Sequence, residues 1–133
     1  MALTADRNYE TVGPTVILEI EAGAADTLYK GAIVNIGTDG YLKVAADVAS
    51  EVPIGVVKKQ HVADGTSHEK VAVETGKIWL PHSGAAQTDV GAFFYATADD
   101  TLADSAVNVG PLGLCVGWKS GYVLIDTNIK AVS

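Results

Sequence analysis

Two segments of this chain carry the same short motifs in the same order, and this repeat constrains the fold more than any other feature. Each segment opens a strand-like run with Gly-Ala, passes through an acidic turn into a second short strand, and ends in an apolar, Gly-containing run entered through Pro. The motifs occupy residues 31–34, 39–42 and 53–57 in the first segment and residues 91–94, 100–103 and 111–115 in the second. The repeat predicts two similar β units that pack together. The Gly within each final run predicts a bulge, a barrel corner or a close approach of two backbones.

The rest of the chain is also typical of short strands. Apolar runs recur between turn-forming residues, among them the 14 Gly and 4 Pro of the chain. Nine runs are predicted as strands: residues 15–21, 32–36, 41–45, 53–58, 70–74, 77–80, 92–96, 112–118 and 122–125. Only residues 45–51 and 83–90 could form a turn or two of helix, and both are too short to be stable alone. The prediction is an all-β fold, a compact barrel or sandwich of short strands with very little helix.

The predicted organisation is an N-terminal arm, residues 1–14, followed by a β-domain, residues 15–133. The arm carries mixed polar residues without periodicity and ends at Gly13-Pro14. The strand that follows alternates with a period of two, so one of its faces is apolar. Together with the apolar positions of later strands, this alternation predicts a core made of Val16, Leu18, Ile20, Val34, Val56, Ile78, Phe93, Leu114 and Leu124.

Composition excludes several classes of function. The chain has 133 residues, with 9 Lys and Arg against 16 Asp and Glu, and a net charge of -7. A nucleic-acid surface needs clustered cations, and the only adjacent basic pair is Lys58-Lys59, so no nucleic-acid partner is predicted. Cys115 is the single cysteine, which fits a reducing compartment. Because the sequence has neither a signal-like start nor an apolar run of about 20 residues, we expect no membrane partner.

No catalytic residues are predicted. Ser83 follows His82, but the surrounding Pro-His-Ser-Gly is not a nucleophile elbow, and sequence neighbours seldom reach the geometry that a base needs. Cys115 lies in an apolar run, where burial raises the pKa of a thiol. The interpretation is a loop serine, a core cysteine and a protein that is not an enzyme.

No metal or cofactor site is predicted either. Three sets of residues were compared with known site patterns: His61, Asp64, His68, Glu69 and His82; Asp99, Asp100 and Asp104; and the loop of residues 37–40. The first set has no zinc-ligand spacing and the second lacks the alternation and central Gly of an EF-hand loop. The third lacks the Lys-Ser/Thr of a phosphate-binding loop. All three are therefore interpreted as polar loops or turns.

The aromatic residues leave one alternative open. Rings within strand runs more often fill a core, whereas a platform of exposed rings could stack on a sugar. The rings in question are Trp79, Phe93, Phe94, Tyr95, Trp118 and Tyr122. The core interpretation is favoured, and a carbohydrate-binding module would instead cluster Trp and Tyr on one exposed face.

Six apolar elements stand in a collinear order at residues 31–34, 54–57, 73–77, 91–94, 112–115 and 121–125. In this order the chain resembles the small capsid decoration (cement) proteins of tailed bacteriophages, in particular a group first catalogued only as a domain of unknown function. The resemblance covers about residues 10 to 127. It implies a β-rich structural protein without catalytic residues, and residues 1–14 match no part of the pattern.

The resemblance also implies a place and a partner. Such proteins sit on the outer surface of an icosahedral head, commonly as trimers, and stabilise the joins between subunits of the major capsid protein. We therefore expect a virion protein that occupies the host cytoplasm before assembly and forms a homotrimer on the capsid. The alternative is a virion-associated or carbohydrate-binding β-module without catalysis.

The arm is the segment predicted to contact the shell or a neighbouring subunit. It lacks core periodicity, so we expect it to order on contact, either by strand addition or with Tyr9 and Leu3 seated in pockets of the neighbour. The predicted contact residues are Leu3, Arg7, Asn8, Tyr9, Glu10 and Val12.

Overall fold

The all-β fold is confirmed by a computed structural model of the chain, which describes residues 3–25, 27–106 and 108–130. The first two residues of the predicted arm and the last three of the predicted β-domain lie outside the described residues. Within those residues the chain forms one 3-10 helix, Gln87–Asp89, and nine strands: β1 Glu10–Glu21, β2 Ile33–Ile36, β3 Leu42–Val44, β4 Val52–Val57, β5 Lys70–Pro81, β6 Phe93–Ala98, β7 Thr101–Ala103, β8 Gly113–Lys119 and β9 Tyr122–Asp126. In the described part of the chain, no helix has the length and apolarity needed to span a membrane.

All nine strands of the described residues belong to one antiparallel sheet. Its order is β3-β2-β4-β5-β9-β8-β6-β7, and β1 pairs with β5 outside this path. The long strand β5 is therefore the spine of the sheet. One of its edges pairs with β4 at residues 73–74 and with β9 at residues 77–81, while the other edge pairs with β1.

The predicted repeat is visible in the strand pairing. The two units pair their strands in equivalent register: Ile33↔Val56 and Val34↔Gly55 in the first unit, Phe93↔Leu114 and Phe94↔Gly113 in the second. Gly55 and Gly113 each lie against the main-chain carbonyl of the next strand, at Glu74 and Asp126 respectively, where a Cβ would collide. The close approach of two backbones is thus the reason for a Gly in each of these apolar strands.

The sheet surrounds a core that draws on both repeat units. This main cluster contains Ile33, Ala45, Val56, Ile78, Leu80, Phe94, Ala96, Leu102, Leu112, Cys115, Val123 and Ile125. A second cluster covers the opposite face of the first unit and contains Ala22, Leu28, Ala32, Val34, Leu42, Val57, Val71 and Val73. The first unit therefore buries apolar side chains on both of its faces, whereas the second unit buries them mainly on one face.

The core prediction is partly right. Val34, Val56, Ile78 and Leu124 are buried, as expected. Leu18, Ile20, Phe93 and Leu114 are only half-buried, because the register of the second unit turns Phe94 and Cys115 inward and because β1 has a neighbour on one edge only. Val16 is 56% exposed, so its assignment to the core is wrong.

Two strand boundaries also differ from the prediction. The first strand begins at Glu10 rather than at Thr15, so the predicted boundary of the arm at residue 14 falls inside β1. Gly13 and Pro14 lie in a register shift between Val12 and Val16 instead of ending the segment, and a bulge is one of the few sheet positions that tolerates Pro. The predicted strands 70–74 and 77–80 are one continuous strand, in which Gly76 adopts a φ of 134°.

Candidate functional site

The N-terminal arm is held against its own domain by main-chain contacts. The Arg7 amide donates to the Lys30 carbonyl at 2.9 Å, and the Arg7 Nε donates to the Gly31 carbonyl at 3.0 Å. The Leu3 amide donates to the Asp99 carboxylate at 2.9 Å. Gly31 has a φ of 83°, and a Cβ there would lie 2.6 Å from the Arg7 carbonyl oxygen, so this approach requires Gly. The structure thus differs from the expectation that the arm orders only against a neighbour.

A buried carboxylate fastens the arm to β5. The Tyr9 hydroxyl donates to Glu74 Oε1 at 2.7 Å, and the Thr15 hydroxyl donates to Glu74 Oε2 at 2.5 Å. Burial alone would raise the pKa of Glu74, but these two hydrogen bonds and the charge of Lys58 together hold it below its ordinary value. Burial and the bond to Glu74 raise the pKa of Tyr9. Tyr9 therefore acts as a neutral donor to an ionised acceptor.

The arm forms one wall of a groove of about 380 Å³, which we call the aromatic groove. It is lined by Arg7, Asn8, Tyr9, Glu10, Trp79, Pro81, Lys119 and Tyr122. The pairing of β5 with β9 and of β9 with β8 brings Pro81, Tyr122 and Lys119 side by side. The Lys119 ammonium lies 4.6 Å from the centre of the Trp79 ring and 5.3 Å from that of Tyr122. A cation thus covers the aromatic floor of the groove.

The partner of Lys119 in the groove is loosely held. Its ammonium is 3.9 Å from a carboxylate oxygen of Glu10, and the two side chains are 44% and 77% exposed. Ion pairs this exposed contribute little to stability because water screens both charges. The Lys119 ammonium is therefore available to a ligand that enters the groove.

A second groove, also of about 380 Å³, lies on the other side of Tyr9, and we call it the polar groove. Its lining residues are Tyr9, Thr11, Lys30, Lys58 and Glu74. Lys30 Nζ donates to the amide oxygen of Asn8 at 3.3 Å, and Lys58 Nζ lies 3.8 Å from Glu74. Tyr9 is therefore a ridge between two grooves that both contain basic side chains.

The outer edge of β1 is a different kind of surface. Among the described residues, β1 pairs with β5 alone, so the polar main-chain groups of its other edge have no strand partner. Val16 and Ile17 point to opposite faces and are 56% and 43% exposed. We call this surface the β1 edge. A long strand with one open edge and exposed aliphatic side chains is suited to pairing with another chain.

The structure brings four of the six predicted contact residues together. Arg7, Asn8, Tyr9 and Glu10 line the aromatic groove. Leu3 packs against the second core cluster of its own chain, and Tyr9 packs against the main cluster. Val12 lies exposed on β1. Whether these six residues contact a shell or a subunit stays a prediction.

Sequence reasoning missed the other wall of the aromatic groove. The sequence favours core positions for Trp79 and Tyr122, yet Tyr122 is 41% exposed and Trp79 is only half-buried. The period-two pattern of β5 contains the missing signal, because the fully buried Ile78 and Leu80 flank Trp79 and turn it to the outer face. Phe94 is the one ring of the predicted six that is fully buried.

The candidate nucleophiles have ordinary structural surroundings. His82 packs edge-on against Phe94, with ring centres 5.0 Å apart, and lines a shallow groove with Ser83 and Asp100. Cys115 is fully buried, and burial raises the pKa of its thiol. The interpretation of Cys115 as a core residue is confirmed.

The residues compared with metal patterns are engaged in turns and packing. Asp64 accepts hydrogen bonds from the amides of Ser67 and Thr66, which lower its pKa to about 2. His68 stacks on Tyr41 with ring centres 3.8 Å apart. In the part of the chain that the structure describes, no group of three or more His, Cys, Asp or Glu is placed to hold a metal ion.

A scan against protein-family models finds no family that matches this chain, and a search of curated proteins finds no significant relative.

Proposed function

We propose that this protein is a virion structural protein that binds the outside of an icosahedral phage head. It stabilises the shell at joins between subunits of the major capsid protein and occupies the capsid as a homotrimer. The collinear motifs that resemble capsid decoration proteins support this proposal. The β1 edge is the structural observation that carries it.

The β1 edge offers the two things that a shell-binding protein needs. Its unpaired main-chain groups can accept a strand from a neighbour, which gives affinity without special side chains. Its exposed Val12, Val16 and Ile17 supply apolar area at the same place. A standard interface buries about 800 Å² per partner, and repetition of the contact over a shell multiplies its effect. The net charge of -7 favours free subunits that stay apart before they meet the head.

The second candidate is a carbohydrate-binding β-module on a virion. One observation favours it, namely that Trp79 and Tyr122 lie in one groove on the outer face, as such a module requires. The position of Lys119 over both rings disfavours carbohydrate binding, because a sugar stacks on a free ring face. We therefore rank it below the shell-binding function.

Co-sedimentation with heads that lack their decoration protein tests the proposed function. The wild-type chain should sediment with the heads and raise the temperature at which they release their contents. Val16→Lys should bind at least tenfold more weakly, because a charge on an edge strand opposes strand addition. Val62→Lys is the matched control, since Val62 is 64% exposed and lies away from β1.

The outcomes separate the two candidates. Binding of wild type and Val62→Lys but not of Val16→Lys supports the shell-binding function through the β1 edge. Absence of wild-type binding to heads, together with retention on a panel of immobilised polysaccharides, would replace it with the carbohydrate-binding module.

A further inference from the structure

The two grooves beside the arm contain more basic than acidic side chains, although the chain as a whole is acidic. The whole chain has 9 basic and 16 acidic residues, but the linings of the aromatic and polar grooves reverse this balance. Four of the nine basic residues line the two grooves, against two carboxylates. The four are Arg7, Lys30, Lys58 and Lys119, and the two are Glu10 and Glu74. Each of the two grooves that meet at Tyr9 therefore has one more basic than acidic side chain in its lining.

Two of these cations, Lys30 and Lys119, are held in ways that leave them open to an anion. The other two already face carboxylates: Arg7 lies near Asp100 and Asp99, and Lys58 Nζ lies 3.8 Å from Glu74. Lys30 donates to the neutral amide oxygen of Asn8, and Lys119 has only the exposed pair with Glu10. A carboxylate that reached Lys119 or Lys30 would form a charge-assisted hydrogen bond stronger than the contact it replaced.

We propose that the aromatic and polar grooves together dock an acidic, extended segment of the protein to which this chain binds. One carboxylate of the segment meets Lys119, a second meets Lys30 across the Tyr9 ridge, and an apolar side chain between them lies over Pro81 and Tyr122. This inference rests on the proposed function, in which the partner is the major capsid protein. It adds to that function the chemical character of the capsid segment in contact, namely that the segment is acidic and extended.

Other occupants fit less well. A neutral sugar would have to displace the Lys119 ammonium from the two rings that it covers at 4.6 and 5.3 Å. A nucleic acid would meet repulsion from a chain whose net charge is -7. An acidic peptide segment is small enough to contact the basic side chains of the two grooves without contacting the acidic remainder of the chain.

The free protein tests the chemistry directly. The probe is a blocked hexaglutamate peptide, with hexalysine as its charge control, and the readout is the indole N–H signal of Trp79 in ¹⁵N NMR spectra. Trp118→Phe identifies that signal, because Trp79 and Trp118 are the two tryptophans of the chain. Hexaglutamate should shift the Trp79 signal in a saturable way at low salt, whereas hexalysine should not. Lys119→Met should weaken the binding about tenfold, while Lys59→Met, which lines neither groove, should bind as wild type does.

Three kinds of result would overturn the proposal. The first is a missing charge contact, seen either as no shift with hexaglutamate or as equal binding of hexaglutamate by wild type and Lys119→Met. The second is tighter binding of polygalacturonate than of hexaglutamate, which would assign the grooves to an anionic polysaccharide. The third is a shift of the Trp79 signal on concentrating the protein alone, which would assign them to a second copy.

Binding to undecorated heads then separates this inference from the proposed function. If both hold, Lys119→Met and Lys30→Met bind heads about tenfold more weakly than Lys59→Met, and added salt narrows the difference. If the wild-type chain binds heads and all three variants bind equally, the groove inference fails and the proposed function stands. If the wild-type chain binds no head while hexaglutamate still binds the groove, the proposed function fails and the acidic ligand belongs to another partner.

Discussion

The strands β1 and β5 are neighbours of equal length, 12 residues each, yet they are buried to very different degrees. Seven residues of β5 are buried, among them Ile78 and Leu80, whereas β1 has none. The strand β5 has partners on both edges and contributes residues to both core clusters. The strand β1 has β5 on one edge and no strand on the other among the described residues.

The position of a strand in the sheet, rather than its apolar content, therefore determines how deeply its side chains are buried in this protein. The run from Val16 to Ile20 has the alternation of a half-buried strand, but the structure covers neither face of β1 completely. In β5 the same kind of residue stabilises the domain. In β1 it stays exposed, and the proposed function assigns it to contact with another molecule.

The largest expected difference is between matched isoleucines of the two strands. Ile78→Ala should lower the free energy of unfolding by about 2 to 5 kcal/mol, because Ile78 is fully buried in the main cluster. Ile17→Ala should cost below about 1 kcal/mol, since Ile17 is 43% exposed. Urea unfolding of both variants measures the difference. Equal losses would show that the β1 edge is covered in the isolated protein.

The next largest loss of stability is expected where each repeat unit packs closely against the strand that follows it. Gly55→Ala and Gly113→Ala should each cost about 1 to 3 kcal/mol, because the new methyl group meets a main-chain carbonyl of β5 or β9. Gly110→Ala is the control, since nothing lies within 4 Å of its Cβ position and its φ is not positive. A similar cost for all three substitutions would contradict the equivalent strand packing of the two units.

The repeat shows what the sequence could predict and what it could not. The order of its motifs predicted two similar β units, because the strands of each unit are close in sequence. It did not predict which face of β6 and β8 turns inward, since Phe94 and Cys115 are buried rather than Phe93 and Leu114. The hydrogen bond from Tyr9 to Glu74 joins residues 65 positions apart, so no local sequence pattern predicts it. The aromatic groove was missed for the same reason, since its walls come from the arm, β5 and the β8–β9 hairpin.

The smallest expected effect concerns the bond between the arm and β5. Tyr9→Phe should cost about 1 kcal/mol at neutral pH, because Glu74 loses one of its hydrogen bonds. The pKa of Glu74 is lowered in the folded protein, so its contribution is present above the unfolded pKa and is lost as the pH falls through the lower folded value. The difference between wild type and Tyr9→Phe should therefore shrink in acid. Thermal unfolding from pH 7 downward, to about pH 3, measures it, and a constant difference would exclude Glu74 as the cause.

Amide hydrogen exchange of the isolated protein tests the comparison of β1 with β5 most directly. Because β1 pairs on one edge only, every second amide should exchange fast within residues 10–12 and 16–21, the two stretches of β1 that are in register with β5. Successive amides of β5 between Val73 and Leu80 should all exchange slowly. This account predicts that alternate amides of β1 exchange fast in the free protein. It also predicts that these amides become protected when the protein binds undecorated heads. Uniformly slow exchange along β1 in the free protein would contradict it, because the β1 edge would then already be occupied.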